Sequence, residues 1–350
     1  MAKKISVTEL AGRLRDFPAR PGAKIMEVCG THTVAIRRFG LQRLLPAEVK
    51  LVSGPGCPVC VTPDSYIDEA VALARQGMII TSFGDMLRVP GSRSSLEKER
   101  AAGHDIRAVY SPLDALQIAV DSGRETVFLA VGFETTAPVI AAAAVKALEK
   151  KIGNFSLLTA LRLVPPALKA LVAVDTNLSG FLLPGHVSTV IGKQAYEPLI
   201  AWRLPGVISG FTAEDIISSL LLLLNMIDKD IYEIVNNYPR AVRDNGNEKS
   251  RILMAEMFEP EDAEWRGLGS IPDSGLVLKP AFAALDSRRR FAIKAESAPP
   301  RKGCRCGDVL RGMIDPPACP LFNKACRPDR PLGPCMVSSE GSCSAWVTYG

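Results

Sequence analysis

From Lys24 to about Ile231, apolar and polar positions alternate between short β-rich runs and stretches with helical spacing, which predicts α/β layers around mostly parallel strands. Residues 24–28, 49–53, 78–83, 106–110, 126–131 and 155–161 read as strands. Between them, Thr62-Pro63-Asp64 reads as a helix start with proline at the first helical position, followed by Ile67, Ala70, Val71 and Ala74 at helical spacing. A second helix is expected over 136–150, through the alanine run, and a third begins after Thr212 as its N-cap. The longest greasy stretch, 216–227, is interrupted by Ser218, Ser219 and Asn225. As a helix it spans about 18 Å at ~1.5 Å per residue, too short to cross a bilayer.

The pattern changes after Asn236. A charged, helix-like segment at 250–258 gives way to turn-rich sequence with many prolines and glycines. From Ala298 onwards apolar periodicity is weak, so an isolated core is not expected to order the tail; cysteine ligation is the available alternative. The expected architecture is α/β: two successive, mostly parallel units over 1–120 and 121–235, then a helical, loop-rich C-terminal domain over 236–350 with little regular sheet.

Composition narrows the class without deciding it. The 350 residues are 47% hydrophobic and 23% charged, which excludes disordered, collagen-like and small disulfide-stapled chains. Lysine and arginine (42) exceed aspartate and glutamate (37) by five, but the excess is dispersed and its densest run is only Arg288-Arg289-Arg290. No nucleic-acid partner is expected from it.

The nine cysteines say more, because they are unevenly placed. Cys29, Cys57 and Cys60 lie near the start; Cys304, Cys306, Cys319, Cys326, Cys335 and Cys343 crowd the tail; none lies between. Secreted disulfide proteins spread their bridges, and the opening Met1-Ala2-Lys3-Lys4-Ile5-Ser6 is not an apolar leader. A cytoplasmic location is expected, where clustered thiols point to metal or redox chemistry.

Four motifs follow predicted strands or turns. Cys-Gly-Thr-His-Thr at 29–33 places Cys29 at a strand end, where the following helix would favour the thiolate that acts as nucleophile or metal ligand. A small buried cysteine beside a capping His32 is the bland alternative. Gly-Pro-Gly-Cys-Pro-Val-Cys at 54–60 brings two sulfurs together, either as a redox pair or as half of a metal site. In Gly-Phe-Glu-Thr-Thr at 132–136, Glu134 is either a partly desolvated carboxyl with a raised pKa or a charge favouring a helix N-terminus capped by Thr135 or Thr136. Pro-Gly-His-Val-Ser at 184–188 places His186 in a turn, either structural or catalytic.

The tail supplies a fifth element. Four thiolates suit zinc or an iron–sulfur cluster, and two short Cys-x-x-Cys knuckles, which would favour zinc, are absent. The spacing Cys304-x14-Cys319-x6-Cys326-x16-Cys343 is wide enough to wrap a cubane, and Cys319-Pro320 has the cysteine–proline step of ferredoxin-type sites. Cys306 and Cys335 are then the natural remainder, a dithiol beside a cluster. Zinc with two inert thiols is the alternative.

In combination and in this order, these five elements resemble the hydrogenase maturation factor HypD family over nearly the whole chain. The resemblance implies a scaffold for assembling the Fe(CN)2CO unit of [NiFe] hydrogenase, working with a small HypC-type chaperone and a HypE-type cyanide donor, with the large-subunit precursor as an indirect partner. It implies Cys29 as a ligand of the assembled iron, shared with the chaperone's N-terminal cysteine. Cys57 and Cys60 would be a nearby redox pair, and His32, Glu134 and His186 would line the same cleft. A [4Fe-4S] cluster would fall on Cys304, Cys319, Cys326 and Cys343, with Cys306 and Cys335 forming a disulfide; exchanging Cys304 and Cys306 is the open variant. Two other classes remain: a general iron–sulfur thiol–disulfide oxidoreductase of the ferredoxin:thioredoxin reductase type, and a zinc-stabilised binding module.

Overall fold

The structure is a computed structural model and describes residues 6–174, 177–296 and 303–350. Strands β1 (Lys24–Glu27), β2 (Lys50–Ser53), β3 (Ile79–Ser82), β4 (Ile106–Ala108), β5 (Thr126–Gly132), β6 (Phe155–Arg162), β7 (Gly180–Pro184), β8 (Gly206–Ser209), β9 (Ile234–Asn236), β10 (Phe258–Trp265) and β11 (Gly269–Leu278) form two sheets. The first is wholly parallel, in the order β2-β1-β7-β8-β9. The second runs β10-β11-β6-β5-β3-β4; its β4-β3-β5-β6 portion is parallel, and β11 lies antiparallel to both β6 and β10.

All six strands expected from the sequence are present, with ends displaced by two residues or fewer. Their apolar runs are continuous because both faces are covered: every residue of β5 and β6 is buried, the condition of parallel strands flanked by helices. The expected helices appear as Asp64–Arg75, Ala137–Glu149 and Ala213–Asp228, the first one residue later than read, with Pro63 at the cap. Thr212 closes a capping box with Asp215, satisfying helix N–H groups that otherwise lack partners. The greasy stretch is this helix. Ile216, Ile217, Leu220, Leu223 and Leu224 bury against the first sheet at roughly 1.5–3 kcal/mol each, and no described helix is long and apolar enough to cross a membrane.

The chain threads between the sheets rather than finishing one before starting the next. The first sheet takes β1 and β2, then β7 to β9; the second takes β3 to β6, then β10 and β11. Each sheet therefore draws strands from both sides of position 120/121. The segment after Asn236, read as helical and loop-rich, also contains the β10–β11 hairpin, which extends the second sheet through β6.

Beyond that hairpin there is little sheet. The tail forms short helices, Cys306–Leu310, Pro334–Val337 and Ser342–Tyr349; its expected starting point at Ala298 lies outside the described residues. It is packed onto the body. Cys335, Met336 and Val337 are buried against the body, and the Arg37 guanidinium lies 3.3 Å from the centre of the Trp346 ring. The basic run at 288–290 is absorbed by ion pairs: Arg288 with Glu69, Arg289 with Asp286 and Arg290 with Glu125.

Candidate functional site

Parallel strands deliver their carboxyl ends to one edge, and there the motifs gather. Cys29 follows β1, Gly54 to Cys57 follow β2, Gly185 and His186 follow β7, and Gly210 and Phe211 follow β8. From the second sheet, Phe133 to Thr136 follow β5. Strand order reverses at β1, whose neighbours are β2 and β7, and open sheets bind ligands at such a point. A cleft of about 360 Å³ opens there, lined by Cys29, Gly56, Phe133, Thr135, His186 and Glu340 among others.

Cys29 is the N-cap of the helix Gly30–Arg38, with extended backbone angles. The two cysteine motifs touch through their main chains: Gly30 N–H donates to the Gly56 carbonyl at 2.9 Å. A Cβ on Gly56 would lie 2.3 Å from the Cys29 nitrogen, so only glycine permits this approach. Glu27, buried at the end of β1, accepts the Cys29 N–H at 3.1 Å and the Thr33 hydroxyl at 2.5 Å, and burial pushes its carboxyl up to about 8. The main-chain N–H groups of His32 and Thr31 pull the Cys29 thiol toward ionisation, as a helix start should. Burial outweighs them, helped by Glu340 and Glu27, and raises the thiol to about 12. The helix alone therefore does not make Cys29 a thiolate.

Two histidines flank one aromatic ring. His186 stacks on Phe211 at 3.9 Å between ring centres, and His32 sits at 4.8 Å from the same ring. His32 Nε2 lies 2.9 Å from the Gly210 carbonyl and donates to it; Nδ1 is buried with no partner among the described residues. Burial lowers His32 to about 4, so the ring is neutral and Nδ1 carries a free lone pair. Partial desolvation also lowers His186, whose side chain is exposed at the cleft. Glu134 Oε1 accepts the Val164 N–H at 2.9 Å, Oε2 is buried with no side-chain partner among the described residues, and burial lifts the carboxyl to about 7. The burial of Glu134 agrees with a desolvated carboxyl. Thr136 occupies the cap position of Ala137–Glu149 without a side-chain bond.

The sulfurs form a connected group. Cys57 caps the short helix Pro58–Val61, accepting the Cys60 N–H, and places its sulfur 2.7 Å from that of Cys60. Cys335 of the tail reaches the same point, its sulfur in contact with those of Cys60 and Cys306, and these contacts lower its pKa. Cys306 lies 3.1 Å from Cys304 and also meets Cys343. Cys326 stands near Cys304 and Cys306, its sulfur accepting the Leu332 N–H at 3.3 Å. Buried Cys319 ends the turn Pro316–Ala318, which packs on the Ser342–Tyr349 helix.

This donor set fits a thiolate-held cluster: the sulfurs are soft, screened from water, and one already receives a main-chain N–H, as cluster sulfurs do. Among the described residues, no three His, Cys, Asp or Glu side chains converge on a single-ion site. A cubane does not need such convergence, because each thiolate binds a different iron.

Several residues at the site carry no sequence motif. Glu340 enters the cleft from the tail, its Oε1 accepting the Thr31 hydroxyl at 2.7 Å. Phe211 sits between the histidines, and Glu27 buttresses the Cys29 turn. Only Glu27 left a trace, as an acidic residue ending an apolar strand immediately before the Cys29 motif.

A family model for HypD, described as "Hydrogenase formation hypA family", matches residues 6–350. The chain is 46% identical over 338 residues to the hydrogenase maturation factor HypD of Azotobacter vinelandii, covering 93% of this chain and 89% of that protein. It is 45% identical to the HypD of Rhizobium leguminosarum bv. viciae, covering 100% and 93% of the two chains. Against the HypD of Rhodobacter capsulatus it is 41% identical, with 98% and 93% covered. With its motifs gathered at one cleft and similarity running from end to end, the chain belongs to the HypD family of hydrogenase maturation factors.

Proposed function

We propose that this chain is the scaffold on which the Fe(CN)2CO unit of [NiFe] hydrogenase is assembled, with iron as cargo held between Cys29 and the N-terminal cysteine of a small HypC-type chaperone. The observation that carries this reading is the line of sulfurs from the tail to the cleft: Cys57 and Cys60 lie 2.7 Å apart, and Cys335 adjoins both Cys60 and Cys306. Cys29 stands beyond them, its turn in main-chain contact with Gly56. Its buried thiol ionises when iron arrives, because the cation compensates the charge that burial penalises. Soft thiolates suit the electron-rich iron that cyanide and carbon monoxide require. The cyanide would come from a HypE-type donor, and the finished unit would pass to the large-subunit precursor.

The tail's role is reduction. A [4Fe-4S] cluster on Cys304, Cys319, Cys326 and Cys343 would supply electrons one at a time when bound. The dithiol step belongs to the chain's own sulfurs. Cys335, as thiolate, attacks Cys60 in a Cys57–Cys60 disulfide, and Cys57 leaves as a thiolate that takes up a proton. Cys306 then loses its proton and displaces Cys60 from the mixed disulfide. The outcome is a Cys306–Cys335 disulfide and a Cys57–Cys60 dithiol, with two electrons moved toward the cleft. Glu134, buried behind the cleft-lining Phe133 and Thr135 with its carboxyl near 7, is suited to hold or release a proton at neutral pH.

Anaerobic purification followed by iron, sulfide and zinc analysis tests the cluster: iron and sulfide in equal amounts are expected, and zinc alone overturns it. The sulfur line by itself would also serve a general thiol–disulfide oxidoreductase. Cys29 favours the scaffold, because disulfide exchange has no use for a thiol in a separate cleft.

A further inference from the structure

Strands β7 and β8 run parallel, and their last paired positions are Pro184 and Ser209. Two residues beyond each of these stand His186 and Phe211, so an imidazole and a phenyl ring leave neighbouring strand ends together. They stack at 3.9 Å between centres, with 25° between their planes. Glycine at 185 permits the approach: a Cβ there would lie 2.4 Å from the Ser209 carbonyl oxygen and 3.2 Å from Cε2 of Phe211. Phe211 is itself fixed. It precedes Thr212, which closes the capping box with Asp215, and Tyr238 meets its ring edge-on at 6.1 Å. The Arg240 guanidinium lies 4.4 Å from the centre of the Tyr238 ring and pairs with Asp215, which closes the circle. The Phe211 ring also lies 4.8 Å from His32, in the first turn of the helix that Cys29 caps. His186 therefore stands one phenyl ring away from the Cys29 turn, and both His186 and Cys29 line the 360 Å³ cleft.

The two imidazoles differ in what they leave free. His32 is buried and spends Nε2 on the Gly210 carbonyl. The His186 ring is exposed at the cleft and makes no hydrogen bond among the described residues, so stacking is what orients it. An imidazole offers an N–H donor in either protonation state. Of the hydroxyls on the cleft wall, those of Thr31 and Thr189 are engaged with Glu340 and the His186 carbonyl. Those of Thr135 and Thr136 can turn, whereas a stacked ring presents its donor in one direction. Iron-bound cyanide ends in a nitrogen that carries negative charge and accepts strongly; bound carbon monoxide ends in a weakly basic oxygen. We propose that Phe211 is a positioning residue of the cleft, whose stacking holds the His186 imidazole as hydrogen-bond donor to a cyanide ligand of the iron unit. This rests on the scaffold reading above, and it gives the cleft a means of telling cyanide from carbon monoxide.

The infrared spectrum of the chain co-purified with its small chaperone tests this, because cyanide and carbon monoxide give separate bands. H186F keeps a ring that can stack but has no donor; F211L keeps the donor but removes the ring beneath it. Each is expected to move a cyanide band to lower wavenumber and, because the iron becomes more electron-rich, the carbon monoxide band with it. F211Y is expected to match the unsubstituted complex, and F211L to add no further shift in the H186F background. A second measurement needs no cargo. The chain has three histidines, so ring-labelled histidine gives three imidazole signals by nuclear magnetic resonance. That of His186 is expected upfield in the unsubstituted chain and in F211Y, and to lose this displacement in F211L. Bands unmoved by H186F and F211L, a further shift from F211L in the H186F background, or a His186 signal that F211L leaves in place each overturn the proposal while the scaffold reading stands. If the unsubstituted complex shows no cyanide and carbon monoxide bands, the reading and the proposal fall together.

Discussion

The Cys335 sulfur meets those of both Cys60 and Cys306, so a tail sulfur stands between the Cys-Pro-Val-Cys turn and the remaining tail cysteines. The two contacts favour its thiolate, and a thiolate attacks the disulfide sulfur it touches. The contact therefore predicts which mixed disulfide forms. In the double variant C57S/C306S, where neither resolving sulfur remains, mild oxidation should trap a Cys60–Cys335 bond, identified as a cross-linked peptide by mass spectrometry. Recovery of both cysteines unlinked, or linked elsewhere, contradicts the assigned order.

Gly56 is the point at which the two cleft motifs meet. A methyl group there would sit 2.3 Å from the Cys29 nitrogen and 2.5 Å from its Cα, and main chain cannot rotate away. G56A should therefore cost about 3 kcal/mol, the upper end for overpacking, seen as a lower urea midpoint. An unchanged midpoint would mean that the two turns are not in contact.

Glu134 makes stability depend on pH. Burial raises its carboxyl from 4.5 to about 7, so the folded chain keeps a proton that the unfolded chain releases between those values. Its contribution is complete below about pH 4.5 and is lost as pH rises through about 7, on the order of 3 kcal/mol in all. Glu27, raised to about 8, adds a separate fall in the same direction. Urea unfolding near pH 5 and pH 8 should show E134Q losing markedly less stability across this window than the unsubstituted chain. Equal losses in both would rule out a buried, protonated Glu134.

The tail's grip on the body is also measurable. Arg37 lies over the Trp346 ring, a contact worth roughly 1–2 kcal/mol when shielded from water. W346A should speed amide exchange in the helix Ser342–Tyr349 by about tenfold while leaving the β5 and β6 amides unchanged. Uniform acceleration of all three would point instead to global destabilisation.

Most of the parallel framework is legible in the chain because its central strands are covered on both faces, leaving uninterrupted apolar runs such as 126–132 and 155–162. Strands β7 and β8 are obscured by chain breakers, β7 running from Gly180 to Pro184 and β8 from Gly206 to a following Gly210, and β9 is three residues in a polar stretch. The β10–β11 hairpin is hidden for another reason. Phe258, Ala263 and Trp265 point inward along β10, but the register shifts between Glu261 and Ala263 and breaks the alternation, while Pro260 is tolerated because β10 is an edge strand. The cleft is legible as motifs, since each closes a parallel strand. Which motifs share a sheet is not, because the chain leaves the first sheet after β2 and returns to it at β7. Glu340 and Phe211 join the site only through that return and through the tail folding back.

The central claim is that iron carrying cyanide and carbon monoxide is held at Cys29. An infrared spectrum of the chain co-purified with its small chaperone tests it most directly, since both ligands absorb where protein does not. The account predicts cyanide and carbon monoxide bands in the unsubstituted complex and their loss in C29A, with the iron and sulfide of the tail retained. The same bands in C29A would place the iron unit elsewhere and contradict the account.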